Sequence, residues 1–409
     1  MAGMKQPLFI RAANRAAGAL RKRGRFPFPL ELDHLREKAS RASGHDDFGT
    51  ATYEIGLRAL LEELNSTAAL SPLGQIAAYF NLLDYLTVRL NLVAYRKQRR
   101  EVALQKVAQP LIVLGMPRSG TTILYEILAQ DAAHRSPASW EVAIPVPPPT
   151  PGQYHNDRRI RRVNLQFALA EKLSPGFKAI HAIGAHLPQE CVYLFASHFM
   201  SEQFGYMYDV PGYRQSLVNA DMHDAYQWHA AFLQHLQVDF AAPRWVLKTP
   251  SHLAYLETLL QQYPDAAIVW THRAPEETVA SFSSLVATLR RGFSDTVDAM
   301  KIGDFEVQHQ ARIVERGLAQ LPNIPDENIF HVSYRDIVNQ PLTVVSDIYD
   351  HFEFPLTQES LAQMQQYHER RPQGLYGHHH YTTSQFGIQA GQVDQLFSNY
   401  KAAFAEYLR

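Results

Sequence analysis

The sequence predicts an α/β fold of three layers: a central parallel sheet between helices on both faces, with an added helical region before it. Three observations carry this expectation. Short continuous apolar and β-branched runs occur at Leu111–Leu114, Arg244–Leu247, Ala267–Thr271 and Ile329–Ser333, as in strands buried on both faces. Helical stretches follow three of them, at Thr121–Gln130, His252–Tyr263 and Glu276–Arg290, and strand–helix–strand repetition implies parallel pairing. Before residue 105 the periodicity is helical throughout.

In that first region, Phe48–Leu64 and Ile76–Leu92 place apolar residues three and four apart, separated by the break Ser71-Pro72-Leu73-Gly74, so two helices are expected. The preceding residues carry Lys5, Arg11, Arg15, Arg21, Lys22, Arg23 and Arg25 without an acid, then Glu31, Asp33 and Glu37. This reads as a basic surface helix against an acidic turn, with weak membrane-surface contact as the other reading. Pro275 enters the third sheet helix at a favourable first-turn position. Between the first two apolar runs lies an insert, about residues 143–243, that opens with Pro145, Pro147, Pro148, Pro149 and Pro151. Such a run is too stiff for helix and poor in backbone donors, so it is expected as a wall or connector over the sheet edge, or else as a polyproline ligand.

The chain has 39 Lys plus Arg against 40 Asp plus Glu, a net charge of −1. That balance argues against coating of nucleic acid and makes any anion site local. The single cysteine, Cys191, argues against a disulfide framework, a thiolate zinc site and an iron–sulfur cluster, and fits a reducing, cytoplasmic setting as an inert thiol. No stretch reaches the roughly 18 uninterrupted apolar residues of a membrane span; Ile76–Tyr95 is broken by Asn81, Asp84, Arg89 and Asn91. Adjacent residues of an extended chain face opposite ways, so the run His378-His379-His380 is not expected to hold one metal ion.

The chemistry concentrates where Leu111–Leu114 runs into Gly115-Met116-Pro117-Arg118-Ser119-Gly120-Thr121-Thr122. A strand, a glycine loop and a helix start offer backbone amides and a favourable dipole to an anion, with Ser119, Thr121 and Thr122 as hydroxyl donors and Arg118 as the cation. The glycine spacing equals that of an NTPase loop, but Thr121 stands where such an enzyme has lysine. A nucleotide 5′-phosphate therefore suits the loop better than a triphosphate.

Gly-Met-Pro-Arg-Ser-Gly-Thr-Thr after an apolar strand resembles the phosphosulfate loop of sulfotransferases that use 3′-phosphoadenosine-5′-phosphosulfate (PAPS), in particular the bacterial group and the protein-tyrosine sulfotransferases. Three further segments match in order. Arg273 ends a predicted strand and Ser281 follows eight residues later on a helix, the spacing that in the family holds the nucleotide 3′-phosphate. In Trp245-Val246-Leu247-Lys248-Thr249-Pro250, the resemblance implies that Lys248 contacts the bridging oxygen next to the sulfuryl group. Tyr334, in Val332-Ser333-Tyr334-Arg335-Asp336, is similar to the tyrosine that approaches the adenine, although it could equally be a core aromatic.

The resemblance, spanning residues 111–354, implies a P-loop-like fold with a helical cap over 1–105 and a PAPS-binding domain over 106–409 that includes the acceptor-site insert. It implies metal-free sulfuryl transfer to a small-molecule, glycan or lipid hydroxyl, releasing 3′,5′-phosphoadenosine; the alternatives are a nucleotide-dependent kinase or an inactive nucleotide-binding scaffold. Oligomeric state is not readable. The resemblance to protein-tyrosine sulfotransferases, whose glutamate base lies about twenty residues past the loop arginine, implies Glu141, 23 residues past Arg118, as the base; partial shielding by Trp140 would raise its pKa, and Glu190 and His252 are the alternatives. Proline at position 250 replaces the histidine that cytosolic members place there. His379, His380 and Tyr381 stand where those members close over the 3′-phosphate. Phe177, Phe195, Phe199, Phe204, Tyr206 and Tyr208 crowd the insert as an aromatic acceptor pocket or as core.

Overall fold

The computed structural model describes residues 8–24, 26–173, 184–370 and 382–408. Among these, five strands form one sheet: β1 (Leu111–Gly115), β2 (His134–Arg135), β3 (Arg244–Lys248), β4 (Ala267–His272) and β5 (Ile329–Ser333). Their order is β2-β3-β1-β4-β5, and every pair is parallel. From β1 the chain moves toward one edge and from β4 toward the other, which makes the β1–β4 boundary the switch point where open α/β sheets bind ligands.

Each central strand is apolar without interruption because its two faces enter different cores. Ile112, Leu114, Leu247, Ile268 and Trp270 point into one cluster, whereas Leu111, Val113, Val246, Ala267 and Val269 point into the other, the two-residue alternation of a strand. The second cluster is completed by Leu124 and Leu128 of the Thr121–Leu128 helix and by Val344, Val345, Ile348 and Met364 of the Pro341–His351 and Gln358–Arg370 helices. The first is filled partly by Leu35, Leu57, Leu60, Leu82 and Leu86. These belong to α2 (Leu32–Ser43), α3 (Tyr53–Ser66) and α4 (Pro72–Gln98), which follow α1 (Leu8–Lys22).

Local chemistry sets the helix limits. Ser71 Oγ accepts the Gly74 N–H at 3.0 Å, and Pro72 takes the first position, so α4 starts there and runs further both ways than periodicity predicts. The helix expected from Phe48 starts only at Tyr53, because Gly49 is left-handed at φ +74° and its N–H is held by Asp47 Oδ1 at 2.8 Å. After β3 the chain first makes a tight turn, Pro250–Tyr255, before the Leu256–Gln262 helix. Strand β2 was not expected: its residues, His134 and Arg135, are polar; they stand level with Arg244 and Trp245, and the Arg135 guanidinium lies 4.6 Å from the Trp245 ring centre.

The basic helix docks on the start of α4. Asn14 Oδ1 accepts the Leu73 N–H at 3.0 Å, and Arg21 donates to the Leu70 carbonyl at 3.2 Å. Lys5 and Arg25 lie outside the described residues. No helix among the described residues is long and apolar enough to cross a membrane.

Helix α4 also grips the insert. Asn81 donates to the Tyr208 hydroxyl at 3.0 Å, Arg96 donates to the Ala231 carbonyl at 3.0 Å, and the Arg89 guanidinium lies 4.2 Å from the Trp228 ring. Carbonyls at the start of the proline run accept from side chains: Ile144, just before it, from Arg159 at 2.9 Å and Pro145 from His235 Nε2 at 2.9 Å. Phe195, Phe199, Phe204 and Tyr208 are buried in the core, and Tyr206 packs edge-on against Phe282 at 5.2 Å. These aromatics build core, and Phe195 also borders a small cavity with Met200, Leu217, Met222 and Tyr226; Phe177 lies outside the described residues.

Candidate active site

The loop after β1 is shaped by its two glycines. Gly115 has φ +137°, and a Cβ there would sit 2.4 Å from the Thr271 carbonyl oxygen of β4; Gly120 has φ +95° and lies against the Tyr334 ring. Only glycine combines that backbone with that approach. Arg118, between them, is itself left-handed at φ 72° and exposed. The Ser119 hydroxyl lies 2.6 Å from both the Met116 carbonyl and Thr271 Oγ1 and is fully buried. Ser119 therefore stitches the loop to β4, and its hydroxyl is not presented as a ligand donor. Thr121 is buried at the start of the Thr121–Leu128 helix, and Thr122 beside it is half-buried.

Two groups of side chains flank this loop. On the β4 side, Arg118 Nε donates to Ser281 Oγ at 3.2 Å, Arg273 donates to the Arg118 carbonyl at 3.0 Å, and the Arg273 guanidinium lies 4.0 Å from the Tyr334 ring centre. Four expected residues from three separate segments thus meet in one place. Tyr334 is half-exposed rather than core, because the Ser333 hydroxyl caps its helix by accepting the Asp336 N–H at 3.1 Å and turns the ring outward over Gly120. Arg273 also pairs with Glu277 at 2.6 Å, one helical turn on, a partner that sequence spacing could have shown. Glu277 is 56% exposed, and such a pair contributes only about 0.3–0.5 kcal/mol, so an incoming dianion can take the guanidinium at small cost.

On the β3 side, Lys248 Nζ donates to Thr122 Oγ1 at 3.2 Å and is ion-paired with Glu190. The lysine side chain is 2% exposed and the carboxylate 17%, so the pair is largely shielded from solvent on the carboxylate side and almost fully so on the lysine side. Glu190 is placed by a short backbone ladder: Gln189 N–H to the Pro137 carbonyl at 2.7 Å and Ser139 N–H to the Leu187 carbonyl at 3.0 Å. Tyr125, on the Thr121–Leu128 helix, donates to the Gln189 carbonyl at 3.0 Å.

The other two candidate bases are placed differently. Glu141 has no exposed surface; Arg135 donates to one carboxylate oxygen at 2.6 Å and the Ala138 N–H to the other at 2.8 Å. Burial raises its pKa, as expected, with the Arg135 charge opposing. Yet Arg135 stands level with Trp245, three residues before Lys248, which is about 10 Å along a strand. Glu141 is a buried helix-capping group ion-paired with Arg135. His252 is buried too, its Nδ1 2.7 Å from the Tyr226 hydroxyl, and burial holds its pKa well below the usual imidazole range. His379, His380 and Tyr381 lie outside the described residues.

A glycine loop at a switch point, with three basic side chains around it, defines a P-loop-like protein built to hold a small polyanion for group transfer. Residues 110–358 match the profile of the sulfotransferase family, and the chain belongs to that family. Its structure is similar to sulfotransferase STF1 from Mycobacterium tuberculosis H37Rv, with 30% identity, a TM-score of 0.82, and coverage of 91% of this chain and 100% of that one. It is also similar to sulfotransferase STF9 from Mycobacterium avium, with 27% identity, a TM-score of 0.83, and coverage of 92% and 97%. Among curated proteins none matches. Sulfuryl transfer replaces the kinase alternative, in agreement with Thr121 in the lysine position.

The two environments of Glu141 and Glu190 are separable by experiment. Glu141→Gln breaks a buried pair and should lower unfolding stability by about 3–5 kcal/mol, read by denaturant titration, while the folded fraction keeps its turnover within a few-fold. Unchanged stability with collapsed turnover would return the base to Glu141.

Proposed function

We propose that the chain transfers the sulfuryl group of PAPS to a hydroxyl acceptor, with Glu190 as the base. The observation that carries the reading is the Thr122–Lys248–Glu190 contact: it puts a cation and a carboxylate side by side against the anion loop. PAPS supplies an activated sulfuryl group and two phosphate positions, and the residues present fit both ends. Arg273 and Ser281, beside Arg118, hold the 3′-phosphate end, where a guanidinium fork and a hydroxyl suit a dianion. The backbone amides at Gly120, Thr121 and Thr122 and the Thr121 and Thr122 hydroxyls hold the 5′ end, and Tyr334 offers its ring to the base.

Lys248 is shared between Glu190 and the oxygen that leaves. As negative charge develops on that oxygen, the ammonium moves toward it, which frees the Glu190 carboxylate to take the acceptor proton. The acceptor oxygen–sulfur bond forms as the sulfur–oxygen bond to the 5′-phosphate breaks, with no metal in the sequence of events. The helical region over 1–105, gripping the insert through α4, roofs the acceptor side; the acceptor is a small-molecule, glycan or lipid hydroxyl, and the setting is cytoplasmic.

Radiolabelled sulfuryl transfer from PAPS to a panel of phenols, sterols, sugars and lipids tests the reading; labelled product is expected with at least one class, and none across the panel favours an inactive nucleotide-binding protein. Arg273→Ala should weaken 3′,5′-phosphoadenosine binding about 10–100-fold, the range of one charge-assisted bond, and leave binding of the 5′-phosphate analogue lacking the 3′-phosphate nearly unchanged. Equal losses for both ligands would remove Arg273 from that role.

A further inference from the structure

Cys191, His229 and His252 meet behind the Lys248–Glu190 pair. They come from three separate elements: the Cys191–Ala196 helix, the His223–Gln237 helix and the Pro250–Tyr255 turn. All three are buried, at 0%, 0% and 1% exposure, and one ligand atom of each lies within 4.8 Å of the other two. The δ nitrogens are already engaged: His229 Nδ1 is 2.7 Å from the Tyr263 hydroxyl and His252 Nδ1 is 2.7 Å from the Tyr226 hydroxyl. Neither ε nitrogen has a hydrogen-bond partner among the described residues. The Phe195 ring stacks on His229 at 4.9 Å and meets His252 edge-on at 5.8 Å, closing the space with apolar surface.

Two orphaned imidazole nitrogens in a dry site are costly unless something satisfies them. We propose that Cys191, His229 and His252 form a binding site for a thiophilic divalent cation, with zinc as the ion that fits. Nitrogen and sulfur donors suit zinc, and imidazoles whose second nitrogen donates outward are the usual arrangement, here with Tyr263 and Tyr226 as acceptors. Zinc bond lengths put tetrahedral ligand atoms about 3.5 Å apart, so the cluster closes by about 1 Å or less per side chain. Burial, against the opposing influence of Lys248, pushes the Cys191 thiol up to about 12, and burial pushes the His229 imidazole down to about 3. The empty cluster is therefore uncharged, and the cation displaces the thiol proton as it binds. A single cysteine cannot make a site of thiolates alone, but the fold brings two imidazoles to this thiol.

The ion ties together the segment that carries Glu190, immediately before Cys191, and the one that carries Lys248, four residues before His252. It is a structural staple under the pair rather than a participant in transfer, so its test reads metal rather than turnover. The full-length chain is unfolded in denaturant, refolded with one equivalent of Co²⁺ or Zn²⁺ and desalted. The cobalt form is expected to show a thiolate-to-metal charge-transfer band in the near ultraviolet, and the zinc form to retain one equivalent by elemental analysis. Cys191→Ser should abolish the band. Tyr263→Phe, which keeps all three ligands, should weaken zinc binding about 10–100-fold. A wild-type protein that refolds without band or zinc overturns the proposal. So does a Cys191→Ser protein with an unchanged band or, should that variant not refold, a Tyr263→Phe protein with wild-type zinc affinity.

Discussion

Lys248→Met lowers kcat by about 10²–10³-fold, the cost of removing one preorganised electrostatic group from a transition state. Methionine keeps the buried stem beside Tyr125, whose ring lies 5.9 Å from the ammonium, so packing survives and the charge alone is lost. Because the ammonium is drawn to the leaving oxygen only as charge develops there, KM for the donor should change little. The measurement is steady-state sulfuryl transfer with the best acceptor of the panel. A kcat within tenfold of wild type would take Lys248 out of the chemistry and leave it a partner for Glu190.

Glu190→Gln should lower turnover by about 10²–10⁴-fold, the usual range for a general base. Glutamine still accepts from Lys248, and Lys248 keeps its contact with Thr122 Oγ1, so 3′,5′-phosphoadenosine binding should persist. A base matters less for an acceptor that gives up its proton easily. The rate loss is therefore expected to shrink across a series of phenols of increasing acidity. A loss that is constant across the series would mean that Glu190 only holds Lys248 in position, and a negligible loss would leave Glu141 or His252 to be tried.

Much of the fold was written locally. A strand buried on both faces announces itself as an apolar run, so β1, β3, β4 and β5 were legible, whereas β2 has polar His134 and Arg135 and exists only because β3 offers it an edge. The meeting of residues beside the glycine loop was legible for a similar reason. Gly115, Gly120, Arg273 and Ser281 are fixed by short spacings within single strand–loop–helix units, and the structure brings Arg118, Ser281, Arg273 and Tyr334 together.

Which carboxylate pairs with Lys248 was not legible, because it depends on which partner the fold delivers. Glu141 and Glu190 are each the carboxylate of a short polar segment followed by apolar residues. Arg135 reaches the first across six positions and Lys248 the second across fifty-eight, and sequence carries no trace of the longer pairing. Ser119 shows the same limit on a smaller scale, since only Thr271 of the neighbouring strand reveals that its hydroxyl is already engaged. The Cys191–His229–His252 cluster likewise has no motif spacing, for its members belong to three elements that meet only in the folded core.

The most direct test of the central claim is calorimetric titration of the intact protein with 3′,5′-phosphoadenosine and, separately, with ATP and Mg²⁺. A loop without the lysine of NTP-cleaving enzymes, flanked by Arg273 and Ser281 for a 3′-phosphate, predicts clearly tighter binding of 3′,5′-phosphoadenosine. ATP with Mg²⁺ binding as tightly or more tightly would contradict it.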